Sequence, residues 1–383
     1  MNFTEEFRDP GHVKSELARI SRLAKALGAT RTKPISIMEI CGGHTHTIFR
    51  HGLDRLIDEG IEFVHGPGCP VCVLPQARID ECIEIANRPG VVLTTFGDAV
   101  RVPGTRGSLL VAKANGADVR IVYSPLDALA LARKMPDREV VFFAIGFETT
   151  MPATALTLLA AEREGIKNFS LFCNHITVPQ PVQALLEDPA MQIDGFVGPG
   201  HVSMVIGLEP YGFIADTYHR PVVVAGFEPV DLVQSVAMVL TQLVEGRAAI
   251  ENQYGRVVRA AGNPQALSAI DTVFEPRASF EWRGLGEIER SGMRIRDRYA
   301  SFDAERKFGV GYGGTRAQPA AELADCRCGD VVKGAMKPPD CPLFGTVCRP
   351  ETPVGALMVS SEGSCAAYWQ YAGRRAAASE ASA

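Results

Sequence analysis

Ten cysteines in this chain of 383 residues fall into two groups that suggest different chemistry. Cys41, Cys69, Cys72, Cys82 and Cys173 are spread over the first half, whereas Cys326, Cys328, Cys341, Cys348 and Cys365 crowd into 40 residues. Cys41-Gly42-Gly43-His44-Thr45-His46 places a cysteine between an apolar run and a helical pattern. The free N–H groups and partial positive charge of a helix start lower a thiol pKa and favour the nucleophilic, metal-binding thiolate. The two glycines let a ligand approach the backbone closely. The same turn also suits a purely structural cysteine, and His44 and His46 can be helix caps, hydrogen-bond donors or metal ligands. Gly66-Pro67-Gly68-Cys69-Pro70-Val71-Cys72 carries a CxxC pair that can close a small disulfide or share a metal, in a loop stiffened by two prolines. Two buried thiols in a turn are the plainer alternative. The five late cysteines offer four thiolates plus one spare, which suits a [4Fe–4S] cluster. Zinc is the competing metal, but a single CxC followed by gaps of twelve, six and sixteen residues does not match paired CxxC knuckles.

Other polar residues sit where apolar runs end. Glu148, Asn174-His175 and His201 can line a cleft or be satisfied structural groups. Cys82, in the helical pattern ARIDECIEIANR, and Cys173, in an apolar strand, are expected in the core. Gly309-Val310-Gly311-Tyr312-Gly313-Gly314 reads as a glycine loop rather than a phosphate loop, because no Lys-Ser/Thr follows it.

Positioning these residues falls to a series of short β-branched runs that alternate with helical patterns between residues 35 and 225. ISIMEI (35–40), VVLTTF (91–96), VRIVY (119–123), VVFFAI (140–145), FSLFCN (169–174), DGFVG (194–198) and PVVVAG (221–226) are the runs, and their alternation predicts βαβ units with a mostly parallel sheet. Two echoes suggest an internal repeat: FVHGPGC (63–69) with FVGPGH (196–201), and MEICGGHTHTIF (38–49) with FAIGFETTMPAT (143–154). The expected organisation is α/β: an N-terminal helical segment at 1–29, then two similar Rossmann-like parallel-sheet domains at 30–125 and 126–228. Ligands of such sheets bind beyond the carboxyl ends of the strands. Cys41, Cys69, Cys72, His175 and His201 lie in those loops, so two facing halves would form a cleft lined by both. From 229 the pattern changes, predicting a third domain at 229–383 whose small, polar tail GRRAAASEASA is expected to fray.

A formal charge of −5 without a basic run offers no footprint for nucleic acid. No stretch of about 18 apolar residues predicts a membrane span, and MNFTEEFRDPGHVKSEL is charged where a signal peptide needs an apolar segment. A cytoplasmic location follows as the expectation, where thiols stay reduced and cysteines serve metals or redox work rather than a disulfide framework. One competing function is then a thioredoxin-like thiol–disulfide oxidoreductase, needing neither cluster nor iron.

CGGHTH, GPGCPVC, GFETT, CNH, GPGH and the closing CRCG…CPLFGTVC…MVSSEGSCAAYW occur in that order from 38 to 371, and together they resemble the HypD family of hydrogenase maturation proteins. The resemblance implies two related α/β domains and a third, C-terminal iron–sulfur domain holding a [4Fe–4S] cluster. It also implies a redox scaffold, rather than a conventional turnover enzyme, that pairs with a HypC-type chaperone. Iron carrying two cyanides and one carbon monoxide, the centre of nickel–iron hydrogenase, is built at that junction with cyanide delivered by HypE. Carried over by motif, Cys41 is the iron-binding cysteine, Cys69 and Cys72 are the thiol pair near it, and Cys326, Cys341, Cys348 and Cys365 are the cluster ligands. Leu357 stands where family members often have a further cysteine able to pair with the one at Cys328, which leaves Cys328 as the spare thiol.

Overall fold

The computed structural model describes residues 5–189, 191–311 and 326–372. Residues 312–314 of the glycine run and the tail 373–383 lie outside the described residues. Nine parallel strands carry the fold: β1 (Ile35–Glu39), β2 (Ile61–His65), β3 (Val91–Thr95), β4 (Val119–Ile121), β5 (Glu139–Gly146), β6 (Phe169–His175), β7 (Gly195–Pro199), β8 (Val222–Ala225) and β9 (Ile250–Asn252). The runs in β3, β6, β7 and β8 are buried along their whole length. That continuous burial is what a parallel sheet with helices on both faces requires, and it explains why these strands read as apolar without alternation.

The strands form two sheets, β2-β1-β7-β8-β9 and β4-β3-β5-β6. This division differs from the expected sequential halves. The boundary between 125 and 126 falls inside the four-stranded sheet, between β4 and β5, and β1 pairs with β7 across more than 150 residues of chain. Parallel strands need crossovers, so a strand's neighbour in space need not be its neighbour in sequence. The echoed FVHGPGC and FVGPGH segments both end strands of the five-stranded sheet, while MEICGGHTHTIF and FAIGFETTMPAT start from interior strands of the two different sheets, β1 and β5.

Residues beyond 229 do not behave as one unit either. The helix Pro229–Val244 packs between β8 and the N-terminal helix Pro10–Ala26, and β9 closes the five-stranded sheet. The helix Pro264–Val273 packs on the helix Met151–Arg163 beside the four-stranded sheet. Residues 326–372, made of short helical turns, form a C-terminal lobe that shares the main hydrophobic core and lies against the helix Gly42–His51 and the CPVC turn. Among the described residues no helix is long and apolar enough to cross a membrane.

Candidate functional site

In each sheet the strand order reverses beside a central strand, between β1 and β7 in one and between β3 and β5 in the other. Such switch points open a crevice at the carboxyl ends of the strands. Here the two crevices face one another and share a cavity of about 550 Å³. Cys41, Gly68, Pro70 and His201 line it from one sheet, Phe96-Gly97-Asp98 and Gly146, Phe147, Thr149 and Thr150 from the other, and Glu362 from the C-terminal lobe. The expected two-sided cleft is therefore present, although the strands that build its walls are not the expected sets.

Cys41 caps the helix Gly42–His51 from an extended backbone, φ −153° and ψ 122°. Its N–H donates to Glu39 Oε2 at 2.9 Å. Glu39 Oε1 also accepts from the Thr45 hydroxyl and lies 2.8 Å from His65 Nδ1, so a carboxylate that is 1% exposed is bonded to three different elements beneath the turn. The GPG loop presses on the same turn: Gly66 N–H donates to the Glu39 carbonyl at 2.9 Å, and Gly42 N–H to the Gly68 carbonyl at 3.0 Å. Burial pushes the Cys41 thiol well above its ordinary range, followed by the Glu362 carboxylate, while the Gly43 and His44 amides pull the other way. The lowering expected at a helix start is thus real but outweighed. A metal bound here would have to take the place of that proton, which would couple its binding to proton release.

Cys69 and Cys72 are joined as a disulfide across a Cα–Cα distance of 5.3 Å, on the one-turn helix Pro70–Val73. Both are buried, 6% and 2% exposed. Arg283 fixes this turn from behind, donating to the Leu74 and Pro103 carbonyls at 2.9 and 3.0 Å. In front, a Cβ on Gly363 would meet the Cys72 sulfur at 3.1 Å, so the C-terminal lobe touches the disulfide directly. The same lobe reaches the opposite wall, where the Ser360 hydroxyl donates to Asp98 Oδ2 at 2.8 Å.

The histidines separate into two classes. His201 lines the cavity and stacks on Phe227 at 3.8 Å, and His44, fully buried, stacks on the same ring at 4.7 Å. Burial lowers the pKa of both. His46 turns instead toward the C-terminal lobe, edge-on to Tyr371 at 5.5 Å. His175 does not line the cavity. It is fully buried at the end of edge strand β6, its Nδ1 3.2 Å from the Gly146 carbonyl and its Nε2 3.1 Å from Thr154 Oγ1, and burial holds its pKa down at about 4. Glu148 likewise points inward: it accepts the Val178 N–H at 3.1 Å, and burial raises its pKa to about 7. For His175 the structural alternative holds, whereas Glu148 Oε2 is buried with no hydrogen-bond partner among the described residues. Cys82 and Cys173 are core residues as expected.

Glu39, Asp98, Phe227 and Glu362 belong to the site but were not singled out by sequence reasoning. Glu39 carried a signal, since a carboxylate closing a buried strand is costly and calls for partners. Phe227 and Glu362 carried none, because their contacts with the Cys41 turn come from residues far away in the chain.

In the C-terminal lobe the Cys365 thiol is raised well above its ordinary range, first by burial and then by the thiols of Cys348, Cys341 and Cys326. These four cysteines therefore share one neighbourhood and could hold a cluster as thiolates. Cys328 adjoins them: its sulfur lies 3.3 Å from that of Cys326, and its thiol is raised first by the hydrogen bond between them, then by burial and also by Cys365. Among the described residues no three Cys, His, Asp or Glu side chains stand close enough to hold a metal ion in this arrangement.

A family model for HypD, described as "Hydrogenase formation hypA family", matches residues 13–372. The hydrogenase maturation factor HypD of Rhodobacter capsulatus is 67% identical over 377 residues, covering 98% of this chain and 100% of that protein. The protein of the same name from Escherichia coli K12 is 54% identical over 373 residues, 97% of this chain and 98% of its own length. That of Rhizobium leguminosarum is 51% identical over 378 residues, 97% of this chain and 96% of its own.

Proposed function

This chain belongs to the HypD family, and on that premise we propose that it is a hydrogenase maturation factor, a redox scaffold on which the iron–cyanide–carbonyl centre of nickel–iron hydrogenase is assembled. Iron is bound at Cys41 in complex with a HypC-type chaperone, in the cytoplasm, and cyanide is received from HypE. The observation that carries this reading is the position of Cys41: a single thiol at a cavity of about 550 Å³, where two sheet switch points meet and a disulfide lies one loop away. A cavity of that size leaves room beside the iron for a ligand from a second protein.

The thiols have separate tasks. As a soft thiolate, Cys41 suits low-spin iron with cyanide and carbon monoxide ligands. Opening the Cys69–Cys72 disulfide takes up two electrons and two protons, and closing it returns them. A [4Fe–4S] cluster would supply electrons one at a time, and the shared neighbourhood of Cys326, Cys341, Cys348 and Cys365 supports these four as its ligands. Gly363, packed on Cys72, lies two residues before Cys365, so the cluster ligands and the disulfide are joined by a very short stretch of chain. A thioredoxin-like oxidoreductase is disfavoured because its disulfide must meet protein substrates, and here both sulfurs are buried.

Infrared spectroscopy of the chain purified with its HypC-type partner tests the assignment. Cys41→Ala should abolish the cyanide and carbon monoxide stretches while leaving the visible absorption of the cluster intact. Bands of undiminished intensity in that variant would move the iron elsewhere in the cavity.

A further inference from the structure

The Cys69–Cys72 disulfide is closed off in this structure. Its residues are only 6% and 2% exposed, and thiol–disulfide exchange requires a thiolate to reach a sulfur directly. What covers Cys72 is Gly363 of the C-terminal lobe, close enough that a Cβ there would lie 3.1 Å from the sulfur. The chain leading to it is tied down on the opposite wall of the cavity. Arg101 donates to the Val359 carbonyl at 2.7 Å, and the Ser360 hydroxyl donates to Asp98 Oδ2 at 2.8 Å, both partners lying just after β3 in the four-stranded sheet. Val359, 3% exposed and part of the main core, is a fixed base. Beyond Ser360 the packing thins: Ser361 and Glu362 are exposed, and Glu362 crosses the Cys41 turn, where a Cβ on Gly42 would collide with it. The Ser360 carbonyl accepts the Gly363 N–H at 2.9 Å, so the residue that is tied to Asp98 also holds the residue that covers the sulfur.

We propose that residues 360–363 form a strap over the disulfide, latched by the Ser360–Asp98 hydrogen bond, and that release of this latch admits a small dithiol reductant to Cys72. The inference rests on the reading that Cys69 and Cys72 work as a redox pair. In the exchange a thiolate of the reductant attacks the Cys72 sulfur and breaks the Cys69–Cys72 bond. Its second thiol then displaces Cys72, so that the reductant leaves as a disulfide and the two cysteines have taken up two electrons and two protons. Opening a short, partly exposed segment takes much less free energy than unfolding the chain. Access to the sulfur therefore follows the latch and not the stability of the whole fold.

The test is the rate at which dithiothreitol opens the disulfide in the full-length chain, read by alkylating the freed thiols and weighing the peptide that carries Cys69 and Cys72. Ser360→Ala and Asp98→Ala each break the latch and should speed reduction roughly 2- to 12-fold. Because they remove the same bond, the double variant should be no faster than the quicker single one. Local opening exposes little surface, so the parent rate should stay nearly flat in urea below the unfolding transition. Arg133→Ala, which breaks two hydrogen bonds to Glu164 beside the four-stranded sheet, should match the parent. The strap is overturned by unchanged rates in both single variants, by accelerations that multiply in the double variant, by an Arg133→Ala rate as high as theirs, or by a parent rate that climbs with urea along the global unfolding curve. Cyanide and carbon monoxide bands of full intensity in the Cys69→Ser/Cys72→Ser double variant would instead sink the reading on which the inference stands, whatever the reduction rates.

Discussion

Replacing Gly68 by alanine probes how closely the CPVC loop is built onto the Cys41 turn. An added Cβ would lie 2.4 Å from the Cys41 nitrogen, 2.5 Å from its Cα and 2.6 Å from the Ile40 carbonyl carbon. All three are backbone atoms, so no side chain can rotate out of the way. Non-bonded heavy atoms settle at roughly 3.5 Å, so the two segments must part by about 1 Å. They are held together by the Gly42 N–H bond to the Gly68 carbonyl at 3.0 Å and the Gly66 N–H bond to the Glu39 carbonyl at 2.9 Å, and separation strains both. Overpacking of this kind costs about 1–3 kcal/mol, and each hydrogen bond lost adds roughly 0.5–1.5 kcal/mol. Gly97 is the matched control on the facing wall of the same cavity: a Cβ there meets only Ile121 Cγ2, at 3.8 Å. Gly97→Ala should be neutral or stabilise by about 0.4–1 kcal/mol through the unfolded chain. Urea unfolding of the three proteins side by side gives the stabilities, and infrared spectra of the iron-loaded proteins report the Cys41 site. Gly68→Ala should lower the unfolding midpoint and weaken the bands, with Gly97→Ala close to the parent. Equal midpoints and equal bands in all three would refute the reasoning that this contact sets the turn.

Two buried groups should oppose one another as pH falls. His175, depressed from 6.5 to about 4, favours folding when neutral, so its contribution is present above the unfolded pKa and lost as pH falls through 6.5 toward 4. Glu148, raised from 4.5 to about 7, favours folding when protonated, so its contribution is present at low pH and lost as pH rises through that same interval. Each amounts to roughly 3 kcal/mol at its limit. Glu148→Gln should therefore lose stability between pH 7 and 4.5 more steeply than the parent, and parallel urea-midpoint profiles would show that Glu148 is not held neutral. In the C-terminal lobe, Cys328→Ala should retain about four irons per chain by elemental analysis and Cys365→Ala should not. A cluster lost from Cys328→Ala but kept in Cys326→Ala would reassign the ligands.

Much of the architecture was legible in the amino-acid order because it depends on short-range physics. Apolar runs such as VVLTTF and PVVVAG are buried on both faces and become parallel strands, and the glycine, proline and cysteine residues that follow them become loops at the strand ends. CGGHTH forms a strand end and helix start, and CPVC a tight turn able to close a disulfide, because turn geometry and cap positions are properties of a few consecutive residues. Which strands share a sheet was not legible in this way. A crossover can place β1 beside β2 on one edge and β7 on the other, and only the packing of the whole chain selects among the arrangements. The electrostatics of Cys41 were decided at the same level. The helix start acts on its sulfur as the local pattern implies, but burial and a carboxylate from Glu362, more than 300 residues away, reverse the outcome. His175 and Glu148 repeat the lesson: at strand ends either could have faced the cavity, and both turn into the core, where His175 meets the Gly146 carbonyl and Thr154 and Glu148 meets the Val178 amide. Charge interactions and burial depend on distance in space, so the sign of a shift and the facing of a side chain belong to the tertiary structure, while the thiols themselves and the turns that present them belong to the sequence.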